Sequence, residues 1–446
     1  MSLIFSMSGI RAVIGESFNP ELSLKASMAF GQMLKKGPVI VGGDTRVSHE
    51  MVKGTIISGL LSVGIDVIYV GYVTTPTVQQ EIRHHNASGG IVISASHNPI
   101  QWNGLKLMNA TGSFLDTNEF NQFKSIYDSN NYKFVSWEKL GKLTVDTQAL
   151  QRHVQKITSL IDCTNIQTSN LKVLVDANNG AGAVANPILL DALGINYEIM
   201  NPEPNGLFNH DPEPLEKNLS AIMNKMKTGD YDIGFIQDAD ADRLVILDEN
   251  GNFIGEDYSL AYCMEYVLKK ESQQNTNIVV NLSTSLVIKF LAEKYHSNIH
   301  YTKIGESNVT EKIKSTSALV GGEGNGGVIY PKIGWGRDSL VGITLALKHL
   351  VDTKKSVSET ISSYPRYIMK RDKVQVTNRD EISTFLQKVE SQFSSFPINK
   401  EDGIKVSFNN SWLHVRPSNT EPIVRIFIEA QTQEEINRIS KEVQNL

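Results

Sequence analysis

Cysteine is scarce in this chain. Cys163 and Cys263 lie far apart and show no metal-ligand spacing, so they are expected to be buried thiols of a protein in a reducing cytoplasm. Long apolar runs are also missing. The opening MSLIFSMSGIRAVIG is short and is interrupted by Arg11, so it is read neither as a signal peptide nor as a membrane span, and no span is expected elsewhere. No long basic run occurs, and the net charge of −5 argues against nucleic acid as the main partner. What remains is the apolar and charged balance of a globular protein. Its 446 residues, at about 150 per domain, allow three domains and admit four.

Strand and helix patterns alternate along most of the chain, which points to α/β layers. A strand at Pro38–Val41 leads into GGDTR and a helical stretch to about Val63, and a second strand lies near Val67–Val70. The buried strand Gly90–Ile93 ends in Ser94–Pro99, SASHNP, a segment that presents hydroxyls where the backbone turns. Residues 130–143 are polar and irregular. The pattern restarts at Lys172–Val175 with DANNGAG and a helix over Pro187–Leu193, and again at Asn277–Val280 with NLSTS and a helix over Ser285–Tyr295. These restarts suggest related α/β units. After about Pro365 the texture changes. Helical stretches at Arg379–Ser394 and Gln433–Val443 flank strand candidates Gly403–Phe408 and Val424–Ala430, as in a smaller α+β domain. The loops GGDTR, SASHNP, DANNGAG, QDADADR, NLSTS and GGEGNGG all follow apolar strands, and in open α/β sheets ligands bind beyond the carboxyl ends of strands.

A strand candidate at Tyr231–Ile236 is followed by Asp238, Asp240 and Asp242. A spacing of two places alternate side chains on one side of an extended segment. At ~4 Å and an effective dielectric near 20, each carboxylate pair repels by about 4 kcal/mol. A divalent cation removes that cost, and an all-oxygen set favours Mg²⁺, Ca²⁺ or Mn²⁺. The EF-hand pattern fails, because Arg243 occupies the position that needs glycine and Leu244–Leu247 reads as a strand. Mg²⁺ commonly takes a few carboxylates and a substrate phosphate oxygen.

Gly322–Gly327, GEGNGG, formally satisfies the dinucleotide fingerprint, but the strand-like Val328–Pro331 follows where a helix is required. NAD is therefore rejected. The loop instead offers the Glu323 carboxylate and the Asn325 amide, which suit sugar hydroxyls. Arg416–Arg425, RPSNTEPIVR, gathers Ser418, Asn419 and Thr420 between two arginines, a set that suits a phosphate.

Taken in order, these segments resemble the α-D-phosphohexomutase family, which comprises phosphoglucomutase, phosphomannomutase, phosphoglucosamine mutase and their relatives. The likeness runs from Ser8-Gly9-Ile10-Arg11 to Arg425. It implies an α/β fold: three related α/β domains with mixed sheets and a smaller C-terminal α+β domain around a central cleft. The expected boundaries are 1–150, 151–253, 254–364 and 365–446. Residue by residue, the resemblance makes Ser96 the phosphoryl carrier, with Ser94 standing where threonine is commoner. Asp238, Asp240, Asp242 and the Ser96 phosphate become the Mg²⁺ ligands, and Arg243 the arginine after the triple. Glu323 and Asn325 become sugar selectors, and Arg416, Ser418, Asn419, Thr420 and Arg425 the phosphate grip. Lys106 and Arg11 become the residues for proton transfer and charge stabilisation, and His97 a support beside the nucleophile. One departure stands out: Gly327 occupies a position where many bacterial members have histidine, and Asn325 replaces a serine.

The implied reaction interconverts a hexose 6-phosphate and its 1-phosphate through a phosphoserine and a hexose 1,6-bisphosphate that turns over without leaving. Glucosamine phosphate is the first expectation for the sugar, followed by mannose and glucose phosphates. Lys106 suits proton transfer if its surroundings lower its pKa. A serine hydrolase is disfavoured because no GxSxG elbow is present. A phosphatase would share the metal and the phosphate grip, and a non-catalytic sugar-phosphate sensor would not need Ser96, the aspartates and Lys106 together. The expected partner is a small sugar phosphate, with neither nucleic acid nor membrane involved. The oligomeric state is left open.

Overall fold

The computed structural model describes residues 3–375, 379–417 and 423–446, with Arg379 described for its backbone alone. The chain divides into two compact units, Met1–Tyr266 with Asn325–Glu359, and Val267–Gly324 with Thr360–Leu446.

The first unit holds a seven-stranded sheet in the order Ile4–Ser6, Gly9–Val13, Trp102–Asn109, Gly89–Ile93, Val39–Gly43, Val67–Tyr72, Leu143–Val145. Val39–Gly43 runs parallel to both of its neighbours, whereas the strands beyond Gly89–Ile93 are antiparallel. The sheet is therefore mixed, and the irregular stretch 130–143 leads into an exposed edge strand. Register matters most for the site. Gly43 sits opposite Ile93, so two parallel strands finish side by side and release GGDTR and SASHNP at the same edge. Both strands are fully buried, which explains their unbroken apolar runs. Helix Pro20–Leu34 starts where the Asn19 side chain accepts the Leu22 N–H and Pro20 takes the first turn. It packs with His49–Ser62 over a core containing Phe18, Phe30, Ile56, Leu60, Ile91 and Phe123.

A second sheet follows in the order Leu244–Leu247, Ile233–Gln237, Lys172–Asp176, Asn196–Met200. Ile233–Gln237 runs parallel to Lys172–Asp176 and antiparallel to Leu244–Leu247, so the aspartate triple occupies the hairpin at the carboxyl end of a central strand. The helix expected from Pro187 begins earlier, at Gly182, and carries Pro187 in its interior. Its first turn is made of small residues because the loop lies close: a Cβ on Gly182 would meet Gln237 Oε1 at 2.1 Å. Strand Gly327–Ile329 and helix Ser339–Thr353 also belong to this unit. That helix is capped by Asp338, which accepts from the Leu340 and Val341 N–H groups, and it is buried from Ser339 to Leu350.

In the second unit, Asn277–Asn281 pairs in parallel with Asn298–Thr302 and Val320–Glu323, beside helices Leu286–Lys294 and Glu306–Thr316. An antiparallel sheet then runs Ile368–Gln375, Ile423–Ala430, Trp412–Pro417, Ile404–Ser407, Ile398–Asn399. Residues of Arg379–Gln392 and Gln433–Gln444 join a core with Val406, Leu413, Val415, Val424 and Ile428. This is the α+β layout expected after Pro365. Cys163 and Cys263 are buried and free. Among the described residues no helix is long and apolar enough to cross a membrane.

Candidate active site

Ser96 sits at the turn after strand Gly89–Ile93 with a left-handed φ of 52°, a conformation that costs a non-glycine residue energy and must be held by its surroundings. Two groups hold it. The Ser94 hydroxyl accepts the Ser96 N–H at 2.8 Å and donates to Asp44 Oδ2 at 2.6 Å. The buried Arg46 guanidinium donates to four carbonyls of the turn, those of Ser96, Asn98, Pro99 and Trp102, at 2.7–2.9 Å. Its Nε pairs with Asp44 at 3.2 Å. The sequence singled out GGDTR as a loop but assigned Asp44 and Arg46 no role. Their signal was the register that ends two parallel strands together.

The Ser96 hydroxyl donates to Asp238 Oδ2 at 2.7 Å. Asp238, Asp240 and Asp242 are all fully buried, and one oxygen from each lies within 4.8 Å of the others. Burial, together with Asp242 and Asp240, pushes the Asp238 pKa up to about 8. Burial alone would raise Asp242 too, but Arg337 and Lys106 hold it well below the ordinary carboxylate range. Asp240 Oδ1 and Asp242 Oδ1 are buried without a hydrogen-bond partner. Three converging carboxylates, two of them with an unspent oxygen, and no nitrogen or sulfur donor among them, suit a hard divalent cation. A second acidic grouping, Glu81, His85 and Asp146, is instead neutralised by Arg152, which ion-pairs with both carboxylates.

Lys106, fully buried on strand Trp102–Asn109, donates to Asp240 Oδ2, to Asp242 Oδ2 at 2.9 Å and to Thr75 Oγ1 at 3.2 Å. The condition attached to Lys106, a lowered pKa, is not met by these neighbours. Burial pushes the Lys106 pKa down, but Asp240 and Asp242 outweigh it and the net shift is upward. Lys106 is therefore a charged partner of the aspartates. Thr75, which the sequence did not suggest, also donates to Asp240 Oδ2, and its N–H donates to the Asp240 carbonyl. Arg337, likewise missed, places Nη2 at 2.8 Å from Asp242 Oδ2.

Arg243 Nη2 donates to His97 Nδ1 at 2.8 Å, and the Ser96 hydroxyl is 3.4 Å from that same nitrogen. Burial and the neighbouring Arg243 and Arg11 push the His97 pKa well down, so the ring is neutral, with Nδ1 as an acceptor occupied by Arg243. That geometry suits support of the loop. Arg11 Nη1 donates to Asn98 Oδ1 at 3.3 Å, at the far side of the same turn. Ser96, His97, Lys106, Asp238, Asp240, Asp242, Arg243 and Arg11 are thus gathered within the first unit. Asn325 also belongs to this unit, and its Oδ1 is buried without a hydrogen-bond partner.

In the second unit, Glu323 Oε1 accepts from Asn281 Nδ2 at 3.0 Å and from the Gly305 N–H at 2.9 Å. Arg416 lies directly opposite Arg425 across paired strands, and Arg425 lies opposite Lys373 on its other side. Directly opposed like charges destabilise a sheet. Asp402 Oδ2, 3.1 Å from Arg416 Nε, offsets part of this row. Ser418, Asn419 and Thr420 fall outside the described residues.

Four family models match in sequence order. Phosphoglucomutase/phosphomannomutase alpha/beta/alpha domains I, II and III match residues 2–134, 151–251 and 255–367, and the C-terminal domain matches residues 373–446. A phosphoglucomutase/phosphomannomutase from Thermococcus kodakarensis is 36% identical over 97% of this chain and 96% of its own. A protein named "Probable phosphoglucosamine mutase" from Pyrococcus horikoshii is 33% identical over 100% of this chain and 98% of its own. The fold is shared with a phosphoglucomutase/phosphomannomutase family protein of Burkholderia thailandensis, at a TM-score of 0.87 and 24% identity over 99% of this chain and 97% of that one. With end-to-end identity above 30% and all four domain types in order, the chain belongs to the phosphoglucomutase/phosphomannomutase family of α-D-phosphohexomutases and is an enzyme of that type.

Proposed function

We propose that this enzyme interconverts a hexosamine 6-phosphate and its 1-phosphate, with glucosamine phosphate as the preferred sugar and Ser96 as the phosphoryl carrier. The observation that carries this reading is the Ser96 hydroxyl, held at a strained turn and donating into the buried aspartate cluster. The choice of sugar is supported by relatives named "Probable phosphoglucosamine mutase". Phosphomannomutase or phosphoglucomutase activity by the same route is the second reading, supported by the name of the 36% identical relative. The reading covers four domains with boundaries at 1–150, 151–253, 254–364 and 365–446, acting in the cytoplasm on a small-molecule substrate.

The mechanism follows from the residues. A free sugar hydroxyl attacks the phosphorus on phosphorylated Ser96. A new O–P bond forms as the Ser96 Oγ–P bond breaks, and the proton lost by the sugar is balanced by the proton gained at Ser96 Oγ. Lys106, which the family resemblance gives to proton transfer, offsets the charge of Asp240 and Asp242, and Arg11 offsets charge near the turn. The resulting 1,6-bisphosphate reverses its orientation, and the other phosphate returns to Ser96. Asp238, Asp240 and Asp242 would hold Mg²⁺, with a Ser96 phosphate oxygen as a further ligand, and the ion would supply charge neutralisation for the transferred group. Arg243 and His97 steady the loop. Glu323 and Asn325 select the sugar. Arg416, Ser418, Asn419, Thr420 and Arg425 grip the phosphate that is not reacting, where an anion relieves the opposed arginines.

The test is a turnover assay on glucosamine, mannose and glucose phosphates with Mg²⁺ and a trace of hexose 1,6-bisphosphate. Preference for glucosamine phosphate is expected. A wide preference for a neutral hexose would move the assignment to the second reading. Ser96→Ala should abolish turnover while leaving the fold intact, and full activity in that variant would remove Ser96 from its role.

A further inference from the structure

Gly327 has an ordinary backbone conformation, unlike its neighbour Gly326 with a φ of +86°, so its lack of a side chain is not demanded by the turn. Space demands it instead. A Cβ on Gly327 would lie 2.2 Å from Arg337 Cδ, 2.7 Å from its Cγ and 3.0 Å from its Cβ. These contacts run along the stem of the arginine rather than at its tip, so the side chain could not move aside without leaving its course. That course ends with Nη2 at 2.8 Å from Asp242 Oδ2, buried from water. Both ends of the connection are tied to the aspartate hairpin. The Gly326 carbonyl accepts the Leu244 N–H at 3.2 Å. Beyond the arginine, the Asp338 N–H donates to the Val328 carbonyl at 3.0 Å, and the Ser339 hydroxyl donates to the Ala241 carbonyl at 2.6 Å.

We propose that Arg337 is a positioning residue for Asp242, and that Gly327 is glycine so that the arginine stem can cross it to get there. The proposal rests on the reading of Asp242 as a ligand of the divalent ion. Arg337 and Lys106 occupy Oδ2, which leaves Oδ1, the oxygen without a hydrogen-bond partner, as the atom that would serve as ligand. A planar, permanently charged fork fixes a carboxylate more strictly than a flexible ammonium does.

The experiment measures Mn²⁺ affinity by electron paramagnetic resonance, and melting temperature without metal, for the wild type, Arg337→Met, Arg337→Lys, Arg337→Ala, Gly327→Ala and the Gly327→Ala/Arg337→Ala double variant. Loss of a group that orients a metal ligand typically weakens metal binding by about 10–100-fold. That loss is expected for Arg337→Met, with Arg337→Lys in between. Gly327→Ala alone should weaken binding and lower the melting temperature, and should do far less of either in the Arg337→Ala background, because the two shortest contacts are with stem atoms that variant removes. Mn²⁺ affinity in Arg337→Met equal to wild type would overturn the positioning role, and so would additive effects of the two substitutions. If Arg337→Met does not fold, unchanged affinity in both Arg337→Lys and Gly327→Ala overturns it equally. Failure of the wild type to bind Mn²⁺ would instead sink the metal reading itself, and non-additive melting temperatures would still report the coupling of the two residues.

Discussion

The Ser96 hydroxyl donates a 2.7 Å hydrogen bond to Asp238 across 142 residues of sequence. Two sheets deliver these side chains from strands that end at the same place, so the residue proposed to carry phosphate meets the residue proposed to hold its counter-ion. Mg²⁺ should therefore stabilise the protein, by about 2.7 kcal/mol at a hundred times its dissociation constant. Asp238→Asn should lose that stabilisation. Without metal and above about pH 8, where Asp238 is ionised, it should melt no lower than the wild type, because it removes one of three buried, mutually repelling carboxylates. Thermal melts with EDTA and with Mg²⁺ check both points. An unchanged Mg²⁺ response in the variant would contradict the ligand assignment.

Arg46 satisfies four carbonyls of the Ser96 turn while neutralising buried Asp44. Removing one partner of a buried pair costs roughly 3–5 kcal/mol. Arg46→Met should lower stability by that order and reduce turnover further, because the left-handed Ser96 loses its main restraint. Denaturant melts and steady-state rates measure the two losses. A variant that is destabilised but keeps its turnover number would confine Arg46 to stability.

Arg416 and Arg425 face each other across paired strands. Arg425→Met should raise KM for the sugar phosphate, by about 10–150-fold if one charge-assisted hydrogen bond worth roughly 1.5–3 kcal/mol is lost. It should leave the melting temperature unchanged or slightly higher, since a like-charge repulsion goes with it. A large fall in melting temperature with unchanged KM would make this pair structural.

His49 is fully buried, its Nε2 3.1 Å from the Tyr69 hydroxyl, and burial pushes its pKa down from 6.5 to about 4. The unfolded chain takes up this proton near pH 6.5 and the folded chain only near pH 4. Stability is therefore undiminished above about pH 6.5 and falls as pH drops toward 4, by about 3 kcal/mol from this residue. His49→Asn should flatten that part of the acid dependence. Urea midpoints at pH 7 and pH 4.5 for both proteins check it, and equal slopes would contradict it.

The stretches with the clearest patterns were the ones read correctly. Gly89–Ile93 and Ile233–Gln237 are buried strands, and the abrupt change from apolar to hydroxyl or carboxylate at their ends marks SASHNP and the aspartate triple. The residues that escaped notice act through space. Thr75 and Arg337 belong to no local pattern, Arg46 closes the GGDTR loop without a local sign of its role, and only the pairing of Gly43 with Ile93 and the packing of residues 326–339 on the aspartate hairpin bring them in. The start of helix Gly182–Ala192 was hidden for a related reason. Close approach to Gln237 keeps its first turn small, which erases the apolar periodicity, and Pro187 looked like a beginning when it lies inside. The Lys106 pKa depends on Asp240 and Asp242, which are distant in sequence, so its direction could not be read from the residues around it.

The most direct test of the account is intact-mass spectrometry in a single turnover. Enzyme charged with phosphate by hexose 1,6-bisphosphate is mixed with an equal amount of unlabelled sugar phosphate and Mg²⁺, then quenched over time. The account predicts that the charged protein is heavier by one phosphoryl group, mapped to Ser96, and that this mass leaves the protein as sugar bisphosphate appears, at a rate no slower than turnover. A protein that turns over substrate with no phosphoryl group on Ser96 at any time would contradict it.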